Sequence, residues 1–316
     1  MNEKKIPLIV ICGPTASGKT AASIALAQKI GAEIVSADSM QIYTGMDMAS
    51  AKPSEEEMCG ITHHLLSFVE SEQPFSVADY TALAHEKLRD MASRGKIPML
   101  VGGTGLYISS VVDNISFSEQ PSSTEVREKL RADALIYGND EMHRRLSEID
   151  PQAAASIHPN NLHRVLRAIE AYELTGKTLT EQKALSRLSP SPYDALILGI
   201  DFRDRQKLYE RINLRVDKML SDGLLDEARD FYGKYRNMPT AAQAIGLKEL
   251  IPFFEGKAEL EQCIETIKRE TRRYAKRQLT WFRRDERVRW VYADEENTGK
   301  KIFEIFENSI AKTDFI

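Results

Sequence analysis

Residues 13–20 read Gly-Pro-Thr-Ala-Ser-Gly-Lys-Thr, and no other stretch limits the fold as tightly. The order fits G-x-x-x-x-G-K-[ST], a loop whose backbone encloses phosphate. Glycines let successive N–H groups turn toward one anion, Lys19 brings a positive charge, and the Thr20 hydroxyl can ligate Mg²⁺. Such a loop works between a strand and a helix, whose N-terminal end adds positive potential. Both flanks are present: Ile6 to Ile11 is a short apolar run rich in β-branched residues, and Ala21 to Ile30 is alanine-rich and helical in pattern. An ordinary glycine turn is the competing reading, and this context weighs against it. Gly13, Pro14, Thr15, Ala16, Ser17, Gly18, Lys19 and Thr20 are therefore the expected phosphate site, with Thr20 as the metal ligand.

The same alternation continues. Glu33 to Ala37 reads as a strand ending at Asp38-Ser39, and Val77 to Arg94 as a helix with Val77, Tyr80, Leu83, Ala84, Leu88 and Met91 on one face. Ile97 to Val101 is a third strand, ending in Gly102-Gly103-Thr104-Gly105, and Ala195 to Phe202 is a further core strand. Strands alternating with helices predict an α/β fold, a mostly parallel sheet covered by helices. From Ser118 the texture changes. Pro121-Ser122-Ser123 opens a charged, helical stretch that Ser189-Pro190-Ser191-Pro192 closes, so 118–192 is expected to be a helical insertion in a core made of 1–117 and 193–316. The part after Arg203 reads as mostly helical.

No run of about 18 apolar residues occurs, and Met1 to Pro7 lacks the apolar core of a signal peptide, so no membrane association is expected. Three scattered cysteines, Cys12, Cys59 and Cys263, fit neither a disulfide framework nor a zinc site, which suggests the cytoplasm. Charge is uneven. Between Lys268 and Val291 ten basic residues face three acidic ones, a segment of +7 in a chain of −4. That concentration suggests a polyanion site, and Tyr274, Trp281 and Phe282 within it could stack on unpaired bases. A solvated helix face, with those aromatics in the core, is the other reading.

The phosphate loop does not identify a reaction. Nucleotide hydrolases add a strand ending in Asp to hold the metal, whereas the third strand here runs into glycines, and no N-K-x-D occurs. Small-molecule kinases and diphosphate-handling transferases remain. Asp38 stands at a strand's carboxyl end, where open α/β sheets place ligands, and could be a general base, a metal ligand or a turn former. The Gly102–Gly105 cluster permits close backbone approach and adds the Thr104 hydroxyl, although a tight turn has the same composition. Adjacent His63 and His64 have no third ligand nearby in sequence and read as structural.

Together these segments resemble one family, the bacterial tRNA dimethylallyltransferases, also called isopentenyl-tRNA transferases. The likeness rests on GPTASGKT at 13–20, DSMQIYTGMD at 38–47, AKP at 51–53, HHLL at 63–66, SVADY at 76–80 and GGTGLY at 102–107. It continues with NLHRVLRAIE at 161–170, AIGLKEL at 244–250 and TRRYAKRQLTWFR at 271–283. The chain departs from the family pattern at Thr44, Ala49-Ser50 and Leu247, where Arg, Gly-Thr and Tyr are common, and it ends without the zinc-finger extension of many eukaryotic members.

The resemblance implies a P-loop NTPase-like core and transfer of a dimethylallyl group from dimethylallyl diphosphate. The acceptor would be the exocyclic amine of adenosine 37 in tRNAs that read codons beginning with U. It implies Mg²⁺ as cofactor, the anticodon stem-loop as the part of tRNA held, and a monomer. Lys19, Thr20 and the loop would hold the diphosphate, with Arg211 or Arg215 nearby, Asp38 would take a proton from the amine, and Thr104 would touch the reacting end. Expected tRNA contacts are Asp38, Ser39, Met40, Gln41, Thr104 and Arg127. The segment Asn161, Leu162, His163, Arg164 and Val165 joins them, as does Ala241, Ala242, Gln243, Ala244, Ile245 and Gly246. The last is Lys276, Arg277, Gln278, Leu279, Thr280, Trp281, Phe282 and Arg283. A P-loop small-molecule kinase and an RNA-dependent ATPase are the alternatives.

Overall fold

The computed structural model describes residues 5–117 and 123–310. Its strands form one sheet: β1 (Ile6–Cys12), β2 (Glu33–Ser36), β3 (His63–His64), β4 (Pro98–Gly102), β5 (Tyr193–Asp201) and β6 (Arg289–Tyr292). The order is β3-β2-β4-β1-β5-β6, and every pairing among the described residues is parallel. Expected strand positions agree within two residues. Two strands were not foreseen, the two-residue β3 and β6 inside the basic segment.

β1 is central because both its faces are apolar. Leu8, Val10 and Cys12 join Val35, Leu100 and Ile197 on one side, while Ile9 and Ile11 join Ile34, Met99 and Leu198 on the other. Each fully buried Leu or Ile contributes about 1.5–3 kcal/mol, so packing, not the loop, holds β1 in place. Helix α1 (Lys19–Ile30) covers the second face, and α2 (Val77–Ser93) and α3 (Gly105–Val112) cover the first. Ser76 starts α2 with a capping box shared with Asp79. Tyr80 of α2 stacks on Tyr107 of α3 at 3.8 Å between ring centres and donates its hydroxyl to the Ser36 carbonyl at 2.9 Å.

The chain divides into two compact units, residues 1–112 with 192–316, and residues 113–191. The boundary expected at Ser118, like Pro121 and Ser122, lies outside the described residues. In the second unit are α4 (Thr124–Ile149) and α5 (Leu162–Thr175). Gly138, at φ 81°, breaks α4 into two helices. Arg145 then reaches Asp133 at 2.7 Å, whereas twelve residues of straight helix would separate them by about 18 Å. Leu130, Met142, Leu146, Val165 and Ile169 form that unit's own core. The first unit continues with α6 (Arg205–Ser221), α7 (Leu224–Tyr232), α8 (Leu260–Phe282) and α9 (Thr298–Ile310).

Strand order fixes where a ligand belongs. From β1 the chain moves to one side for β2 and β4, then crosses to the other for β5. Ligands of open α/β sheets bind at such a reversal, outside the carboxyl ends of the strands. The 13–18 loop, Asp38 and the Gly102–Thr104 turn all follow those ends.

Candidate active site

The loop after β1 has left-handed backbone at Ala16 (φ 62°) and Gly18 (φ 91°). Glycine takes that conformation freely, whereas alanine is strained in it, a cost that recurs at binding loops. α1 begins at Lys19, two residues before the sequence expectation, so Lys19 and Thr20 form the first helical turn. Lys19 Nζ donates to the Pro14 carbonyl at 2.8 Å and arches over the loop. The Thr20 hydroxyl has no hydrogen bond among the described residues, and Thr20 is exposed.

A cavity of about 260 Å³ opens beside this turn, lined by Lys19, Thr20, Asp38, Arg215, Tyr274 and Gln278 among others. Its walls include Met40, Gln41, Gln243, Ala244, Ile245 and Arg277 from the segments the sequence singled out. An adjoining space of about 680 Å³ shares Lys19, Thr20 and Arg215 and adds Arg211 and Lys218. The two arginines lie one turn apart on α6 and are thereby distinguished. Arg215 lines both spaces and donates to the Ala51 carbonyl at 3.3 Å, while Arg211 lines only the second, with Ala16 and Gly18 of the loop, and donates to the Ala16 carbonyl at 3.0 Å.

The charges are unbalanced. Burial first and Arg215 second lower the Lys19 ammonium to about 8, with Asp38 only partly opposing them. Burial also lowers Arg215, again with Asp38 acting against it. Two cations facing one carboxylate in a partly dry site attract an anion. Burial raises the Tyr274 hydroxyl and Asp38 raises it further, keeping it a neutral donor.

Asp38 Oδ1 accepts the Met40 N–H at 2.9 Å, and Oδ2 has no hydrogen bond among the described residues. The flanking turns are laced together. Thr104 N–H donates to the Ala37 carbonyl at 3.0 Å, and its hydroxyl accepts the Ser39 N–H at 3.0 Å. Thr104 thus ties Ser39 to the turn after β4, and its side chain also meets the cavity-lining Tyr274 hydroxyl. Gln41 accepts the Ser36 hydroxyl at 3.0 Å and reaches the Ser50 and Ala51 carbonyls.

Several side chains do work that the sequence reading did not foresee. Gln278, 5% exposed, accepts the Thr15 N–H at 2.9 Å and donates to the Gly103 carbonyl at 3.0 Å. The Thr15 N–H is therefore engaged by Gln278. Glu227, on α7, accepts the N–H groups of Asp47, Met48 and Ala49 at 2.8, 2.7 and 2.9 Å and fixes the wall that continues to Ala51. Its partners lie about 180 residues away, beyond any local pattern. His63 lines the cavity, and His64 pairs with Glu33 at 2.9 Å.

The basic segment divides between both of its readings. Lys268, Arg273, Arg283 and Arg287 each pair with a carboxylate at 2.7 Å. Lys276 and Arg284 are exposed without an ion-pair partner among the described residues, and Trp281 is 38% exposed. Leu279 is half-buried and Thr280 exposed, while Phe282 packs in the core. Ala241, Ala242, Ala244 and Gly246 are buried as well, leaving Gln243 and half-buried Ile245 outermost there. In the second unit Asn161, His163 and Arg164 are exposed and Val165 is buried, and Arg127 pairs with the buried Glu170 at 2.8 Å.

No group of three His, Cys, Asp or Glu side chains that could hold a metal occurs among the described residues, and no helix among them is long and apolar enough to cross a membrane.

Residues 41–285 match the family model described as IPP transferase. A tRNA dimethylallyltransferase of Halalkalibacterium halodurans is 45% identical over 305 residues, covering 96% of each chain. That of Bacillus subtilis is 47% identical, covering 96% of this chain and 97% of the relative. Among solved structures, a full-length tRNA isopentenylpyrophosphate transferase from Bacillus halodurans is 43% identical with a TM-score of 0.71, covering 98% of this chain and 96% of that one. A eukaryotic dimethylallyltransferase acting on tRNA is 30% identical with a TM-score of 0.82, covering 96% of this chain and 79% of that one.

Proposed function

The chain belongs to the IPP transferase family, with a P-loop NTPase-like core, and from that premise we propose the reaction its cavity performs. It is a tRNA dimethylallyltransferase. The donor is dimethylallyl diphosphate, and the acceptor is the exocyclic amine of adenosine 37 in the anticodon stem-loop of tRNAs reading codons that begin with U. The cytoplasm is the compartment this reading supports.

One observation carries the reading: Lys19 and Arg215 share a single cavity with Asp38, so cations for a leaving diphosphate and a carboxylate for an attacking amine meet there. The allylic C–O bond breaks as the adenine nitrogen bonds to that carbon. Negative charge grows on the diphosphate, where Lys19, Arg215 and the start of α1 stabilise it. The amine proton passes toward Asp38, whose Oδ2 is available to receive it. The target base must leave its stack to enter so narrow a space, as base-modifying enzymes generally require.

The donor set suits Mg²⁺ only as a shared site. The unengaged Thr20 hydroxyl would hold the ion together with diphosphate oxygens and water, the ligand set Mg²⁺ favours. When bound it would supply further neutralisation of the leaving group.

The test is to incubate folded protein, Mg²⁺, labelled dimethylallyl diphosphate and unmodified tRNA. Label in the tRNA supports the reading, and no incorporation sinks it. ATP-dependent phosphorylation of a small molecule without tRNA would restore the kinase alternative instead.

A further inference from the structure

We infer that Gln278 is a positioning residue that sets the separation between the phosphate loop and the acceptor-side turn; the inference rests on the prenyl-transfer reading. One planar amide spans the two. Its oxygen takes the Thr15 N–H at 2.9 Å, and its nitrogen gives a hydrogen to the Gly103 carbonyl at 3.0 Å. The opposite roles fix the amide's orientation, because a flipped amide would set donor against donor and acceptor against acceptor. Buried and away from competing water, the group holds both bonds more firmly than an exposed one would.

Gly103 is shaped to this bridge. A Cβ there would lie 2.1 Å from Gln278 Nε2 and no closer than 3.5 Å to any backbone atom among its nearest neighbours. Its φ is not in the left-handed region, so the backbone does not itself require glycine. Gln278 is what excludes a side chain at 103.

The bridge ends on the reacting groups. Thr15 belongs to the loop that takes the leaving diphosphate. Gly103 precedes Thr104, whose hydroxyl holds the Ser39 N–H beside Asp38. The path from leaving-group site to proton acceptor thus runs through Thr15, Gln278, Gly103, Thr104 and Ser39. Attack across an allylic carbon needs the partners about 3–3.5 Å apart, and a misplacement of about 1 Å can cost on the order of 100-fold in rate.

The experiment is a cycle of Gln278→Met, Gln278→Ala, Gly103→Ala and the Gly103→Ala/Gln278→Ala double variant. Readouts are kcat, KM for dimethylallyl diphosphate and tRNA dissociation constant. Gln278→Met is expected to lower kcat roughly 10- to 100-fold while KM and tRNA affinity move less than about threefold. Gly103→Ala alone is expected to fall similarly, yet to add less than about twofold on top of Gln278→Ala, since the clash has gone. Multiplicative losses would overturn the inference. So would weakened tRNA binding with kcat unchanged at saturation, which would make Gln278 an RNA contact.

Should Gln278→Met fail to fold, Gln278→Asn retains an amide too short to span both loops, and wild-type kcat in it would overturn the bridge. Wild-type protein that labels no tRNA would instead sink the prenyl-transfer reading. The same cycle read as denaturant midpoints without substrate would still report whether Gly103 and Gln278 are coupled.

Discussion

Lys19 and Arg215 hold two positive charges in one cavity, and after burial Arg215 is the strongest influence lowering the Lys19 ammonium to about 8. Their mutual repulsion is unfavourable, and an anion bound between them would offset it.

A pH dependence of stability follows. Lys19 holds its proton less tightly in the folded chain, at about 8, than at its ordinary value of 10.5. Between those values the unfolded chain carries the proton and the folded chain does not, so stability rises with pH across that window. Below it both states are protonated and the penalty is complete. Lys19→Met should therefore not lower the denaturant midpoint at neutral pH and should flatten its rise toward pH 10. A Lys19→Met midpoint that still climbs as steeply as wild type would refute this. The same variant should lose roughly 10²- to 10³-fold in transfer rate.

Asp38→Asn separates charge from shape. The Asn carbonyl oxygen can still accept the Met40 N–H, as Oδ1 does at 2.9 Å. The single-turnover rate should drop about 100-fold or more, the usual worth of a positioned base, with tRNA affinity within about threefold. An unaltered rate would leave Asp38 a turn former only.

Glu227→Gln removes part of the carboxylate's hold on three successive N–H groups at 47–49. Charge-assisted bonds are worth more than neutral ones, and loss of about 1–2 kcal/mol in urea unfolding is expected. Since that segment leads to the cavity wall at Ala51, KM for the diphosphate should rise as well. Unchanged KM beside lowered stability would restrict Glu227 to folding.

Trp281→Ala tests the exposed end of α8. The indole lies so close to Gly105 that a Cβ there would meet Cδ1 at 2.2 Å, which places the ring beside the Thr104 turn. One stacked base is worth about 1–3 kcal/mol, so tRNA affinity measured by filter binding should fall about 10-fold or more. Diphosphate binding should stay unchanged. Equal loss of both would assign Trp281 to the core.

Much of the core was legible because its signals are local. The apolar run of β1, the loop glycines and the alanine-rich α1 lie within about 25 consecutive residues, and Asp38 stands two residues past the end of β2. β3 escaped because two residues carry no periodicity, and β6 because Arg289-Trp290-Val291-Tyr292 sits among charges that suggest a surface. Gln278 escaped for a different reason. Its helix announces RNA binding through its cations, whereas its amide is committed inward, to loops 263 and 175 residues away. Glu227 carries no motif at all. Residues that hold other residues in place have long-range partners, and only folding brings those together.

The register of β1 has a consequence for how the molecule is made. On one edge β1 pairs with β4, Cys12 with Gly102, and on the other with β5, Ile6 with Tyr193. The first half of the sheet can assemble once β4 has left the ribosome. The other edge of its central strand then waits for about a hundred more residues, on the order of 5–20 s at synthesis rates of about 5–20 residues per second. During that interval a row of apolar side chains and unpaired backbone groups stands open. While the middle segment is being translated, the finished half of the sheet carries that open edge.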